Sequence, residues 1–211
     1  ISCLGEKANS TRPEIEQLIF SPKEKNLNLE KTLFLTRRRI ENKIKSLNIS
    51  NFYICSLSSE IIVYKGMFLA EQLSSFYPDL LDIDFKSKFA VYHQRYSTNT
   101  FPTWSLAQPF RVLAHNGEIN TLKGNVNWMK AHETRITDDF FGDRVEDLKP
   151  ILDSDASDSA SLDAAFEILL QTNRSLPMTK SMIIPEAWSN NNDMPDELKK
   201  MYAYCNAVIE P

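Results

Sequence analysis

Two polar knots hold the residues of this chain best suited to chemistry. His93-Gln94-Arg95-Tyr96-Ser97-Thr98-Asn99-Thr100 closes one apolar run, and Ala114-His115-Asn116-Gly117-Glu118-Ile119-Asn120-Thr121 closes another, with Asn116 lying 21 positions after Arg95. Asn116 offers a side-chain amide and Gly117 an unhindered backbone N–H, side by side where a strand would end and a helix begin. Both groups are donors. Donors that converge on one point suit a developing oxyanion, and glycine permits close backbone approach or a positive φ. The same dipeptide is also common material for a hairpin turn, and by itself it favours that reading.

Arg95 carries a planar fork of donors that matches a carboxylate bidentately. Asp158 follows a helix-capping Ser157, so it falls in a first helical turn, where an ionised carboxylate is favoured and can accept from an ammonium group. Together they fit an α-amino acid. With Asn116 and Gly117 addressing a side-chain carbonyl, that amino acid would be an amide such as glutamine. The plainer alternative is that Arg95 and Asp158 are ordinary surface charges.

The elements that must position these groups can be read from periodicity. Residues 1–28 are polar, with Pro13 and Pro22, and read as a linker-like segment holding a short helix. Leu29, Leu33, Ile40, Ile44 and Leu47 recur at helical spacing and predict an amphipathic helix. Phe52–Leu57 and Ile61–Lys65 are β-rich runs split by Ser58-Ser59-Glu60, the pattern of a hairpin, and Met67–Phe76 reads as a short helix ending near Pro78. Lys88–Arg95 and Phe110–His115 read as two more strands, so 29–133 comprises a helix, a hairpin, the site-bearing strands and a helix after Gly117 with Gly124 inside it. Residues 134–157 are expected to form an acidic surface loop and 158–211 a helical segment, with helices after Ser157, near Pro177 and through Leu198–Ile209. Hairpin and strands followed by helices predict an α+β fold with helices layered on a mostly antiparallel sheet.

Composition narrows the function classes. With 211 residues, 42% hydrophobic and 25% charged, the chain can bury a real core. A formal charge of −4 argues against nucleic acid as the main partner, because Arg37-Arg38-Arg39 is the one basic cluster and is expected to be solvated helix surface. Cys3, Cys55 and Cys205 form no Cys-x-x-Cys pair, which indicates neither a disulfide framework nor a zinc ribbon and fits a reducing compartment. His93, His115 and His132 lack the spacing of a metallohydrolase, so no metal is expected. No apolar run is long enough for a membrane span.

Taken with Gly124-Asn125, Trp128 and Ser157-Asp158-Ser159, the two knots closely resemble the class II glutamine amidotransferase domain of the glutamate synthase large subunit. The resemblance extends over nearly the whole chain, through Phe52-Tyr53-Ile54-Cys55-Ser56-Leu57-Ser58-Ser59 and Ile184-Pro185-Glu186-Ala187-Trp188. It implies the C-terminal part of such a domain, within an N-terminal-nucleophile hydrolase αββα sandwich. Carried over position by position, it implies that Arg95 binds the substrate α-carboxylate and Asp158 the α-amino group. Thr98 would line the pocket, and Asn116 with Gly117 would form the oxyanion hole.

The resemblance further implies that ammonia released from glutamine passes to a distant synthase site that aminates 2-oxoglutarate. FMN and an iron–sulfur cluster would serve that site in downstream domains, with none in these residues, and ferredoxin or an NAD(P)H-oxidising subunit would supply electrons. An Asn- and Ile-leaning composition tips the expected location toward the plastid stroma, with the bacterial cytoplasm as alternative. One departure stands out. The family attacks with a processed N-terminal cysteine whose own amine is the base, whereas this chain opens at Ile1. No nucleophile is therefore assigned to Cys3 or Cys55. The cysteine is expected upstream, and these 211 residues by themselves are expected to lack glutaminase activity. A non-catalytic amino-acid-binding module is the competing class.

Overall fold

The computed structural model describes residues 3–23, 28–95, 101–119, 121–137, 139–153 and 156–207. The chain divides into two compact units, Ile1–Asn116 and Gly117–Pro211.

The first unit holds α1 (Glu6–Ser10), α2 (Leu29–Ser46) and α3 (Leu73–Phe76). Helix α2 forms where the periodicity predicts it, but it buries Leu33, Phe34 and Leu35, while Ile40 and Leu47 of the predicted stripe are exposed. The expectation for the arginine triplet is corrected: Arg37 is only 2% exposed and Arg38 is also buried, while Arg39 faces solvent. Glu41 explains the burial. Its Oε2 accepts from Nη1 of Arg37 at 2.9 Å, one turn back, and from Nη1 of Arg38 at 3.5 Å, while its Oε1 accepts from Nη2 of Arg111 at 2.9 Å. Buried charge is tolerated where it is paired and hydrogen-bonded in this way.

An aromatic cluster forms the other half of this unit. Phe76 and Trp104 are buried with ring centroids 5.5 Å apart, and Phe68 and Tyr77 pack edge-on around them. Gly66 makes this possible, because a Cβ there would lie 2.6 Å from Cζ3 of Trp104 and collide with the Phe68 ring as well. The neighbouring Lys65 is buried too. Its ammonium donates to the Ser105 carbonyl at 2.7 Å and sits 4.4 Å from the Tyr53 ring centroid and 4.9 Å from that of Phe110. The Tyr77 hydroxyl, donating to the Lys65 carbonyl at 2.7 Å, ties α3 to the same point. The predicted Met67–Phe76 helix is in fact a 3-10 turn over Ala70–Gln72 running into α3, followed by a second such turn over Pro78–Leu81.

No strand is formed among the described residues, where the expected segments make local hydrogen bonds instead. The Val63 N–H donates to the Ser56 hydroxyl at 3.3 Å, so a side chain takes a donor that a hairpin ladder would use. Phe110 N–H donates to the Leu113 carbonyl at 2.9 Å, which turns the chain within the expected fourth strand. At His115 the Gln108 amide stands in for a neighbouring strand: it accepts from the backbone N–H at 2.8 Å and donates to the carbonyl at 3.0 Å. Phe89 and Val91 alternate as a strand would but are exposed.

The second unit contains α4 (Leu122–Glu133), α5 (Asp158–Leu170), α6 (Leu176–Ile183) and α7 (Asp196–Asn206), close to the predicted helices. Helix α5 packs on α4 and α6, and α6 on α7. Ser157 caps α5, its hydroxyl accepting from the Ala160 N–H at 3.1 Å. Ser175 caps α6 in the same way through Met178, with Pro177 in the first turn. The expected acidic surface loop is also corrected. It contains a 3-10 helix over Gly142–Leu148, and Phe141, Leu148, Ile151 and Leu152 are buried, Leu148 being only 1% exposed. These four apolar side chains form a core strip that the surrounding acidic residues obscure in the sequence. Glu133 anchors its end by accepting from the Ile151 N–H at 2.7 Å.

Candidate functional site

The first polar knot begins on irregular backbone at Tyr92-His93-Gln94-Arg95, and Arg95 is exposed. Asn116 closes the first unit and Gly117 opens the second, both exposed. His93 links the two knots. Its Nε2 lies 2.7 Å from Oδ1 of Asn116, while its Nδ1 accepts from the Arg95 backbone N–H at 3.2 Å. A backbone N–H can only donate, so Nδ1 is the unprotonated nitrogen of a neutral ring and the proton sits on Nε2. Nε2–H therefore donates to Oδ1 of Asn116. With its oxygen held this way, the Asn116 amide has a fixed orientation and its NH2 is directed away from His93 as a donor pair.

Asp158 lies in the second unit, in the first turn of α5, and is 8% exposed. Its Oδ1 accepts from the Ser159 N–H at 2.6 Å and the Ser159 hydroxyl at 3.2 Å, which fixes the carboxylate at the helix start, where the macrodipole favours its charge. Thr98, the remaining predicted pocket residue, lies outside the described residues.

The described cysteines are poor nucleophiles where their thiols are perturbed. Burial pushes the Cys55 thiol up, and the nearby charges of Lys65 and Arg111 only partly oppose this; burial raises the Cys205 thiol as well. A raised thiol is protonated at neutral pH, and the thiolate is the reactive form. Cys55 is half-buried.

Sequence reasoning singled out Arg95, Asn116 and Asp158 and passed over the two hydrogen bonds of His93, weighed there only within its motif and as a candidate metal ligand. The His-x-Arg spacing was the available signal, since a ring nitrogen reaches the backbone N–H two residues on. It also missed the buried Lys65 and the Glu41–Arg111 pair, whose partners are 40 and 70 positions away.

A family model described as class II glutamine amidotransferases matches residues 1–211. The chain is 57% identical, over its whole length, to the large chain of the NADPH glutamate synthase of Azospirillum brasilense. It is 43% identical over 99% of its length to the corresponding large chain of Bacillus subtilis (strain 168). To the chloroplastic ferredoxin-dependent glutamate synthase of Oryza sativa subsp. japonica it is 45% identical over 90% of its length. It spans only 14%, 14% and 12% of those three proteins. End-to-end agreement with the family model, together with the two knots and the capped α5 carboxylate, establishes that the chain belongs to the class II glutamine amidotransferases.

Proposed function

We propose that this domain binds glutamine and cleaves its side-chain amide within a glutamate synthase, supplying ammonia for the reductive amination of 2-oxoglutarate. The observation that carries the reading is the oriented Asn116 amide, held by His93 at 2.7 Å. Arg95 takes the α-carboxylate through its fork, Asp158 the α-ammonium, and Thr98 lines the pocket. Asn116 Nδ2 and Gly117 N–H then meet the oxygen of the amide carbonyl as it gains charge in the tetrahedral intermediate. The attacking thiolate is that of the amino-terminal cysteine the family resemblance implies, with its own α-amine as base. The domain would adopt the αββα sandwich of N-terminal-nucleophile hydrolases.

FMN and an iron–sulfur cluster would serve the synthase half of the longer protein. Among the described residues no three His, Cys, Asp or Glu side chains converge as ligands, and no step of the reading runs through either group. Relatives include bacterial and chloroplastic synthases, which supports a bacterial cytoplasm or a plastid stroma as the setting. The electron donor would be ferredoxin or an NAD(P)H-oxidising subunit. No described helix is long and apolar enough to cross a membrane.

Calorimetry with glutamine tests the binding half. Arg95→Ala and Asp158→Asn each remove a charge-assisted hydrogen bond of about 1.5–3 kcal/mol, so affinity should fall roughly 10- to 100-fold. Unchanged affinity in both would remove the proposed amino-acid site and favour a plain structural role for these charges.

A further inference from the structure

We propose that His93 is a positioning residue for amide cleavage: its ring holds the Asn116 amide in the orientation that presents Nδ2–H to the oxyanion. The proposal rests on the oxyanion-hole reading of Asn116 and adds to it the group that aims the donor. Three observations carry it. The Arg95 backbone N–H, 3.2 Å from Nδ1, sets the tautomer. Nε2–H, 2.7 Å from Oδ1 of Asn116, then distinguishes the two ends of that amide, which are otherwise nearly identical in shape. Asn116 is exposed, so without this bond water competes for both ends and the amide rotates about its last torsion.

An oxyanion donor works because it is aimed before the charge develops, and a misplacement of about 1 Å can cost on the order of 100-fold in rate. One ring also gathers the two knots. It fixes the backbone at Arg95 with one nitrogen and the amide of Asn116, 23 residues away, with the other. The group gripping the substrate α-carboxylate is thereby held in register with the group meeting its side-chain oxygen.

Two isosteric substitutions separate the two nitrogens. Gln places its amide nitrogen close to where Nε2 stands and can still donate to Asn116; Asn reaches only as far as Nδ1 and cannot. In the full-length protein that carries this domain, His93→Asn should lower kcat for glutamine hydrolysis by about 10- to 100-fold with KM within about twofold. His93→Gln should keep kcat within about threefold of the parent. A parental kcat in His93→Asn, or an equal loss in both variants, overturns the proposal, since a merely space-filling ring would not distinguish them. Asn116→Ala, assayed alongside, separates the two levels. If it lowers kcat while the His93 variants behave alike, the positioning role fails and the oxyanion reading stands; if it leaves kcat unchanged, both fail.

Discussion

Arg111 reaches back 70 residues to Glu41, its Nη2 2.9 Å from Oε1, while Arg37 holds Oε2 of the same carboxylate at 2.9 Å. The guanidinium of Arg111 also donates to the Ile54 carbonyl at 2.6 Å and lies 4.7 Å from the Tyr53 ring centroid. One carboxylate thus gathers α2, the segment around Tyr53 and the segment leading to Asn116. Replacing it by Glu41→Gln removes the negative charge that Arg37, Arg38 and Arg111 share. Urea unfolding should show a loss of about 3 kcal/mol, the scale on which one partner of a buried ion pair is missed. A change below about 0.5 kcal/mol would mean that the cluster is solvated enough to stand without its anion.

Gly66 is held to its size by Trp104 and Phe68. Gly66→Ala should therefore destabilise by about 1–3 kcal/mol through overpacking of the aromatic cluster. Thermal unfolding checks this, and an unchanged midpoint would show that the rings can yield.

Acid should weaken the first unit through Glu30. Partial burial pushes this carboxyl up, but hydrogen bonds from the Ser58 hydroxyl and from the Ser59 hydroxyl and N–H outweigh it and hold the group below its ordinary value of 4.5. A carboxyl depressed on folding contributes stability that is present above its unfolded value and lost as pH falls through the folded one. The loss in urea midpoint between pH 7 and about pH 3 should then be smaller in a Ser58→Ala, Ser59→Ala double variant. An identical pH dependence in parent and variant would exclude Glu30 as a contributor.

How far the sequence reveals this molecule depends on the range of each interaction. Helix α2, the Ser157 cap and the Pro177-started α6 were legible because their causes lie within a few residues: apolar spacing, a hydroxyl before an acidic turn, a fixed φ. Arg37 was misread as surface because it is paired with Glu41, whose carboxylate also holds Arg111 far along the chain. The segment after Thr134 was misread because its acidic residues outnumber four apolar ones that carry no helical or strand period. At Phe110–His115 the period-2 pattern is real, and in this structure Gln108 and a local turn take the backbone groups. Arg95, Asn116 and Asp158 could be named from residue type and spacing. The His93 bridge could not, because a tautomer is set by partners that only geometry supplies.

Ser157 links stability to the proposed site, since it caps the helix whose first turn carries Asp158. Ser157→Ala should lower stability by about 1 kcal/mol and loosen that turn, raising the KM for glutamine severalfold with kcat little changed. Ser175→Ala, at the cap of α6, should cost similar stability and leave KM alone. Equal KM values in the two variants would separate Asp158 from substrate binding.

The most direct measurement is steady-state glutamine hydrolysis by Asn116→Ala in the full-length protein. With one of two oxyanion donors removed, kcat should fall about 100- to 1,000-fold, while glutamine affinity by calorimetry stays near the parental value. A kcat within a few-fold of the parent would contradict the assignment of Asn116 to the oxyanion and, with it, the reading of the two knots as one amide-cleaving site.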